Sequence, residues 1–185
     1  MRRAGPSIVF GGCDVTGPRV AVTNAIATYL NGAGVTSLSN VFPYPAKFTP
    51  EGEFYEGEDP GTQDGALIFM RLGTQRSKRI ELRGFTDPGG KMMTFTLTLT
   101  IIHRSSKQKT QDAGADNDAF LDSLIAAIEA SKTAGTSDGT VFQWGEGGIN
   151  GGEDLDLEVY YPRPIKAGVT QTNSRLVVQV LHQTT

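Results

Sequence analysis

Between Lys91 and Lys132 the side-chain period of this chain changes once, from two residues to 3.6. Met93, Phe95, Leu97, Leu99 and Ile101 alternate with Thr94, Thr96, Thr98 and Thr100, which describes a strand with one apolar and one threonine face. A polar, basic loop follows (His103, Arg104, Ser105, Ser106, Lys107, Gln108, Lys109), and then a helix whose apolar face is Phe120, Leu121, Leu124, Ile125 and Ile128. A strand and a helix joined by one loop build half of an α+β core. The unit contains no nucleophile paired with a base and no cluster of metal ligands. Fitting against other proteins, with no catalysis, is therefore the first functional expectation.

Other segments supply the rest of the fold. A helix is expected from about Thr16, capped by Thr16 or Gly17, with Pro18 in its first turn and Val22, Ile26, Tyr29 and Leu30 as its buried stripe. Asn31, Gly32 and Gly34 end it. Leu38–Phe42 reads as a short strand stopped by Pro43 and Pro45. Ala66–Leu72 reads as a buried strand and Lys78–Arg83 as a separate, half-exposed one. Asp87, Pro88, Gly89 and Gly90 make a turn into the threonine-laddered strand. Asp116 or Asn117 is the expected N-cap of the second helix, with Asp118 and Asp122 favourably placed near the positive end of its dipole. Val141–Gly145, Leu155–Tyr161 and Leu176–Leu181 complete the strands. The expected fold is α+β: a mixed or antiparallel sheet packed on two main helices, as one domain over 16–185, preceded by a loose, Gly-rich arm over 1–15. The longest irregular excursion, 42–65, combines prolines, an acidic tract and the aromatics Phe48, Phe54 and Tyr55, which suggest a loop that docks on a partner.

Charge is segregated along the chain behind a net value of −3. Glu51, Glu53, Glu56, Glu58, Asp59 and Asp64 have no Lys or Arg among them. From Arg71 to Lys109 the sign reverses: Arg71, Arg76, Lys78, Arg79, Arg83, Lys91, Arg104, Lys107 and Lys109 face only Glu81 and Asp87. From Asp112 to Glu158 carboxylates dominate again, against Lys132 alone. Such blocks are either solvated faces or complementary faces of neighbouring copies, and contacts of the second kind close into rings or run into filaments. A nucleic-acid binder would more often be basic overall.

The segments that resemble chemical motifs fail on their own residues. Gly12-Cys13-Asp14-Val15-Thr16-Gly17 has the spacing of a phosphate loop, but Pro18 and Arg19 stand where Lys and Ser/Thr are required. Gly145-Glu146-Gly147 begins a dinucleotide fingerprint and then has Asn150 at the third glycine position. Asp154, Asp156 and Glu158 share one face of a strand and could hold Mg²⁺ or Ca²⁺, but they read better as the solvated side of an edge strand whose inner side is Leu155, Leu157, Val159 and Tyr161. Cys13 excludes an internal disulfide framework and reads as a free thiol. His103 and His182 read as boundary residues, and Trp144 as a core or interface aromatic. No cofactor is implied. No signal-peptide core and no apolar run of about 20 residues occurs, so the expectation is a protein made in a cytoplasm that avoids the membrane.

The order of these elements resembles the tail terminator proteins of long-tailed bacteriophages, within the wider neck and tail-completion group. The resemblance rests on the helix Pro18–Leu30 ending in Asn-Gly-Ala-Gly, the strand end Val41-Phe42-Pro43, the strands Lys78–Arg83 and Lys91–His103, the helix Phe120–Glu129 with Phe-Leu-Asp-Ser-Leu-Ile-Ala-Ala-Ile, and Val141-Phe142-Gln143-Trp144-Gly145-Glu146 before the closing strands. It spans about Thr16 to Leu181; the 42–65 excursion and the N-terminal arm depart from it. It implies a non-enzymatic virion protein, made in the host bacterial cytoplasm, that closes as a homo-hexameric ring on the tail tube protein, stops tube growth and joins the head connector or head-closure protein. DNA would pass through the lumen without sequence-specific binding. Arg76, Lys78, Arg79 and Arg83 are then expected to meet Asp116, Asp118 and Asp122 of the next subunit. The rival readings are another neck component, a metal-dependent hydrolase using Asp154, Asp156, Glu158 and His103, and a ligand-binding module built on the aromatic flap Phe48 to Tyr55.

Overall fold

In a computed structural model, residues 17–45, 64–79, 91–107, 109–130, 141–144, 155–166 and 168–184 are described. The threonine-laddered segment forms strand β3, Lys91–Ser105. Its apolar side chains Phe95, Leu97, Leu99 and Ile101 are completely buried on one face, while Thr94, Thr96 and Thr98 are half-buried and Thr100 is exposed on the other. β3 is antiparallel along its length to β2, Gly65–Arg79, on one side and to β7, Val169–Thr184, on the other. These three long strands carry the sheet. β1, Leu38–Phe42, adds parallel to β2 and makes one edge. At the other edge β6 (Arg163–Lys166), β5 (Leu155–Val159) and β4 (Val141–Trp144) each pair antiparallel with a successive part of β7. The result is a seven-stranded mixed sheet, and the expected α+β class holds.

Two expected strands, Ala66–Leu72 and Lys78–Arg83, are joined: the described part is the single strand β2, ending at Arg79. The reason is a bulge. Leu72 faces Leu97 and Gln75 faces Phe95, so β2 spends one extra residue there. The polar Gly73-Thr74-Gln75 stretch reads as a break in sequence, yet the pairing continues through it. The guanidinium of Arg19 secures the bulge, donating to the carbonyls of Leu72 at 2.5 Å and Gly73 at 3.2 Å and to Gln75 Oε1 at 3.2 Å. The expected last strand Leu176–Leu181 is likewise only part of β7. Thr170 to Ser174 lack apolar character, but they pair residue for residue with Ser105 to Ile101. The expected strand Leu155–Tyr161 stops at Val159.

Both helices pack on the apolar face of β3. α1, Pro18–Gly32, starts after Gly17 as its N-cap and buries Val22, Ile26 and Leu30. The Asn31 side chain brackets Val41, its Oδ1 accepting from the Val41 N–H at 3.0 Å and its Nδ2 donating to the Val41 carbonyl at 3.4 Å. α2, Thr110–Ala130, begins well before the expected cap at Asp116 or Asn117. Its buried stripe runs Ala113, Asn117, Phe120, Leu121, Leu124, Ile128, which keeps helical spacing from the first turn. Small Ala113, Gly114 and polar Asn117 do not announce an apolar face, so the early turns are invisible to hydropathy. Tyr29 Oη donates to the Ala127 carbonyl at 2.7 Å and Ser123 Oγ accepts from the Thr36 N–H at 3.1 Å, tying the two helical segments together.

The core on the helical face joins α1, α2 and the inner residues of β1, β2, β3 and β7. A smaller cluster lies on the opposite face: Leu67, Phe69 and Ile102, with Phe42 stacked on Phe69 at 4.9 Å between ring centroids. Gly65, where β2 begins, has φ +151 and leaves no room for a β-carbon, which would lie 2.2 Å from Ser39 Oγ. Only glycine meets both conditions at low cost.

Candidate interaction surfaces

Directly opposed residues of paired strands point to the same side of a sheet. Arg71 opposes Thr98, Arg76 opposes Thr94 and Lys78 opposes Met92. The extra residue at the bulge therefore keeps all three cations on the threonine face, away from the helices. All three are exposed. Arg79 continues the strand opposite Lys91, with its side chain outside the described residues, and Arg83 lies outside them altogether. Among the described residues no strand pairs with the outer edge of β2 beyond Phe69, and Met70 donates its N–H to the Tyr44 carbonyl at 3.2 Å just past that point. Arg71, which neither the resemblance nor the spacing singled out for contact, belongs to this basic face because of the bulge.

The acidic set sits on the other layer. Asp112, Asp118, Asp122 and Glu129 are exposed on α2, and Asp118 and Asp122 stand one above the other at i, i+4. The basic part of β2 pairs with the first residues of β3, whereas α2 begins just after its last. These ends are about 45 Å apart along a strand of this length. Arg76 and Lys78 thus lie near one end of the sheet and Arg71 level with its middle, all on the face opposite the helical layer that carries Asp118 and Asp122. No ion pair links Arg76, Lys78, Asp118 or Asp122 to another described residue.

Asp116 is different. Lys107 Nζ donates to its Oδ1 at 2.6 Å and Ser105 Oγ to its Oδ2 at 3.0 Å. These bonds hold its carboxyl below the ordinary range, the Lys107 bond contributing most, and the same bond raises Lys107. Asp116 is therefore engaged inside its own chain, where it fastens the start of α2 to the end of β3. Nearby, Asp64 accepts from the N–H and the hydroxyl of Ser106, and Thr170 Oγ1 donates to the Lys107 carbonyl at 3.2 Å.

Beneath this corner lies a buried polar group of residues on the helical side. His103 opposes Thr172 and Ile101 opposes Ser174. Asn117 of α2 is completely buried, and one turn later Phe120 stacks on the His103 ring at 5.7 Å between centroids. His103 Nδ1, both amide atoms of Asn117, Thr172 Oγ1 and Ser174 Oγ have no hydrogen-bond partner among the described residues. Ser105 donates its hydroxyl to Asp116, and no Ser–His hydrogen bond forms among the described residues.

Two consequences follow for stability. An unpaired buried amide destabilises a fold by about 1–3 kcal/mol, and Leu is also the better helix former. Asn117→Leu is therefore expected to raise the unfolding free energy by about 1–2 kcal/mol in urea titration. A loss of stability instead would mean that the amide is bonded in the folded protein. Burial lowers the pKa of His103 below its ordinary 6.5, with Asp116 and Asp64 partly opposing the shift. The unfolded chain then takes up the proton first, so the stability that the neutral ring contributes is complete above about pH 6.5 and is lost as pH falls below it. His103→Gln is expected to flatten the pH dependence of the urea midpoint between about pH 7 and 5, leaving the fall caused by Asp116 at lower pH. An unchanged slope would assign that limb to other groups.

Asp156 and Glu158 of β5 are exposed, and Asp154 lies outside the described residues. Glu158 Oε2 pairs with Arg175 at 3.4 Å and accepts from Tyr160 Oη at 3.1 Å, which raises the tyrosine's pKa. Among the described residues no group of three His, Cys, Asp or Glu is placed to hold a metal ion. The expected inner side of that strand holds only in part: Leu157 packs on the core, but Val159 and Tyr161 are exposed. His103 and His182 are both buried, at opposite ends of β3, opposing Thr172 and Met93. Phe48, Phe54 and Tyr55 of the docking loop, the 1–15 arm with Cys13, most of the 42–65 excursion and the Trp144 side chain lie outside the described residues. Among the described residues no helix is long and apolar enough to cross a membrane. Comparison with known proteins finds no family model and no curated sequence that matches this chain.

Proposed function

We propose that this chain is a non-enzymatic virion structural protein of the tail-terminator kind, closing as a homo-hexameric ring on the end of a phage tail tube. The ring stops tube polymerisation and offers its other face to the head connector. The observation that supports this reading is the separation of charge. Arg71, Arg76 and Lys78 lie on the threonine face of the sheet, and Asp118 and Asp122 lie on the helical layer. Neither set meets the other within one chain, so they are free to meet between copies, through two different surfaces. Contacts of that heterologous kind close a ring when the rotation between copies divides a full turn.

Native mass spectrometry across a concentration series tests the reading, with tail tubes present in a second arm. A hexamer is the expected result, and the pair Arg76→Glu with Lys78→Glu is expected to abolish it. A monomer in both arms, or a hexamer indifferent to the charge reversal, would overturn the ring or the contact respectively.

A further inference from the structure

An aromatic corner beside the acidic helix is exposed to an unusual degree. Val159 is 49 %, Tyr160 52 % and Tyr161 96 % accessible. The chain turns there from β5 to β6, and Pro162 abuts Gly114 of α2, where an added β-carbon would lie 4.0 Å from its ring. Gly114, Asp118 and Asp122 are spaced i, i+4, i+8, so they form one row along the helix. The row that Pro162 touches at its start is thus the acidic row. Tyr161 immediately precedes Pro162, so an exposed aromatic residue stands near the start of the row that carries the two carboxylates. Arg163, the first residue of β6, is also exposed. Tyr160 is tied to Glu158; Tyr161 makes no hydrogen bond or ring contact among the described residues, and its exposure is almost that of a free side chain.

We infer that this corner is the docking site for the basic face of β2 of a second copy of the chain, with Tyr161 as its anchor. The inference rests on the self-association reading and names the residues that would meet. Charge complementarity selects the occupant. Arg71, Arg76 and Lys78 are exposed on one sheet face and form no ion pair among the described residues, and they lie beside Thr94 and Thr98, whose short side chains leave room for a flat ring. A tyrosine ring attracts a guanidinium over its face while Asp118 and Asp122 neutralise the neighbouring cations. Tyrosine and arginine are also the residue types that most often carry interface energy.

The test uses the full chain with a photo-crosslinking benzoylphenylalanine at position 161, mixed with isotope-labelled unsubstituted chain and mapped by mass spectrometry. Intermolecular crosslinks to residues 71–79 are expected. In parallel, Tyr161→Ala is expected to weaken self-association about 10- to 30-fold, Tyr161→Phe to leave it within about 3-fold, and both to keep the wild-type unfolding midpoint because the side chain buries almost nothing. Oligomers that form normally while crosslinks fall outside 71–79, or that tolerate Tyr161→Ala, would overturn this docking pair and leave the ring reading standing. A chain that neither oligomerises nor crosslinks at any concentration would overturn the pair and remove the support for self-association with it.

Discussion

Phe120→Ala is expected to lower the unfolding free energy by about 3–5 kcal/mol, a large fraction of the stability of a domain of this size. Phe120 is 1 % exposed and belongs to the core that joins both helices to the sheet. Its ring also lies over His103. Removing it therefore withdraws dispersion contacts from the apolar core and uncovers the polar group around Asn117, Thr172 and Ser174. The neighbours on α2, Leu121 and Leu124, are themselves fully engaged, which limits how far the cavity can collapse. Urea unfolding monitored by circular dichroism checks the figure. A loss below about 1.5 kcal/mol would mean that the helix repacks over the site.

Phe69→Ala is expected to cost a similar amount, about 3–5 kcal/mol, from the opposite side of the sheet. Phe69 is 1 % exposed, stacks on Phe42 and packs with Leu67 and Ile102. Adjacent Ile68 and Met70 point into the helical core, so the strand is buried on both sides at this point. The double variant Phe120→Ala/Phe69→Ala should be additive within about 0.5 kcal/mol, because the two rings share no partner across the sheet. A marked coupling would show that the two faces communicate through strand β2.

Much of this fold is legible wherever burial is one-sided. The alternation Phe95, Leu97, Leu99, Ile101 places β3 and its orientation, because a one-residue slip would expose the whole set. The stripe Val22, Ile26, Leu30 places α1, and Pro18 marks its first turn. The readings fail where pairing replaces hydropathy as the determinant. Thr170 to Ser174 become strand because β3 supplies a matching run of backbone partners. Gly73 to Gln75 stay in strand because a bulge and Arg19 absorb the extra residue. The first turns of α2 form around Ala113 and Asn117, whose burial depends on what lies beneath them.

The interaction surfaces divide in the same way. That charge is blocked into segments is readable from residue order alone. Residue order also determines which residues alternate and which helix faces are apolar, because those periods follow from local backbone geometry. That Arg71, Arg76 and Lys78 share one face follows from the pairing of β2 with β3, because it depends on a register shift between the two strands. Long-range packing likewise engages Asp116 with Lys107 and Ser105, and it leaves Tyr161 in solvent one residue before the Pro162 that lies against Gly114. Such groupings are set by long-range pairing and by the packing of distant segments, and neither is encoded in any short window of residues.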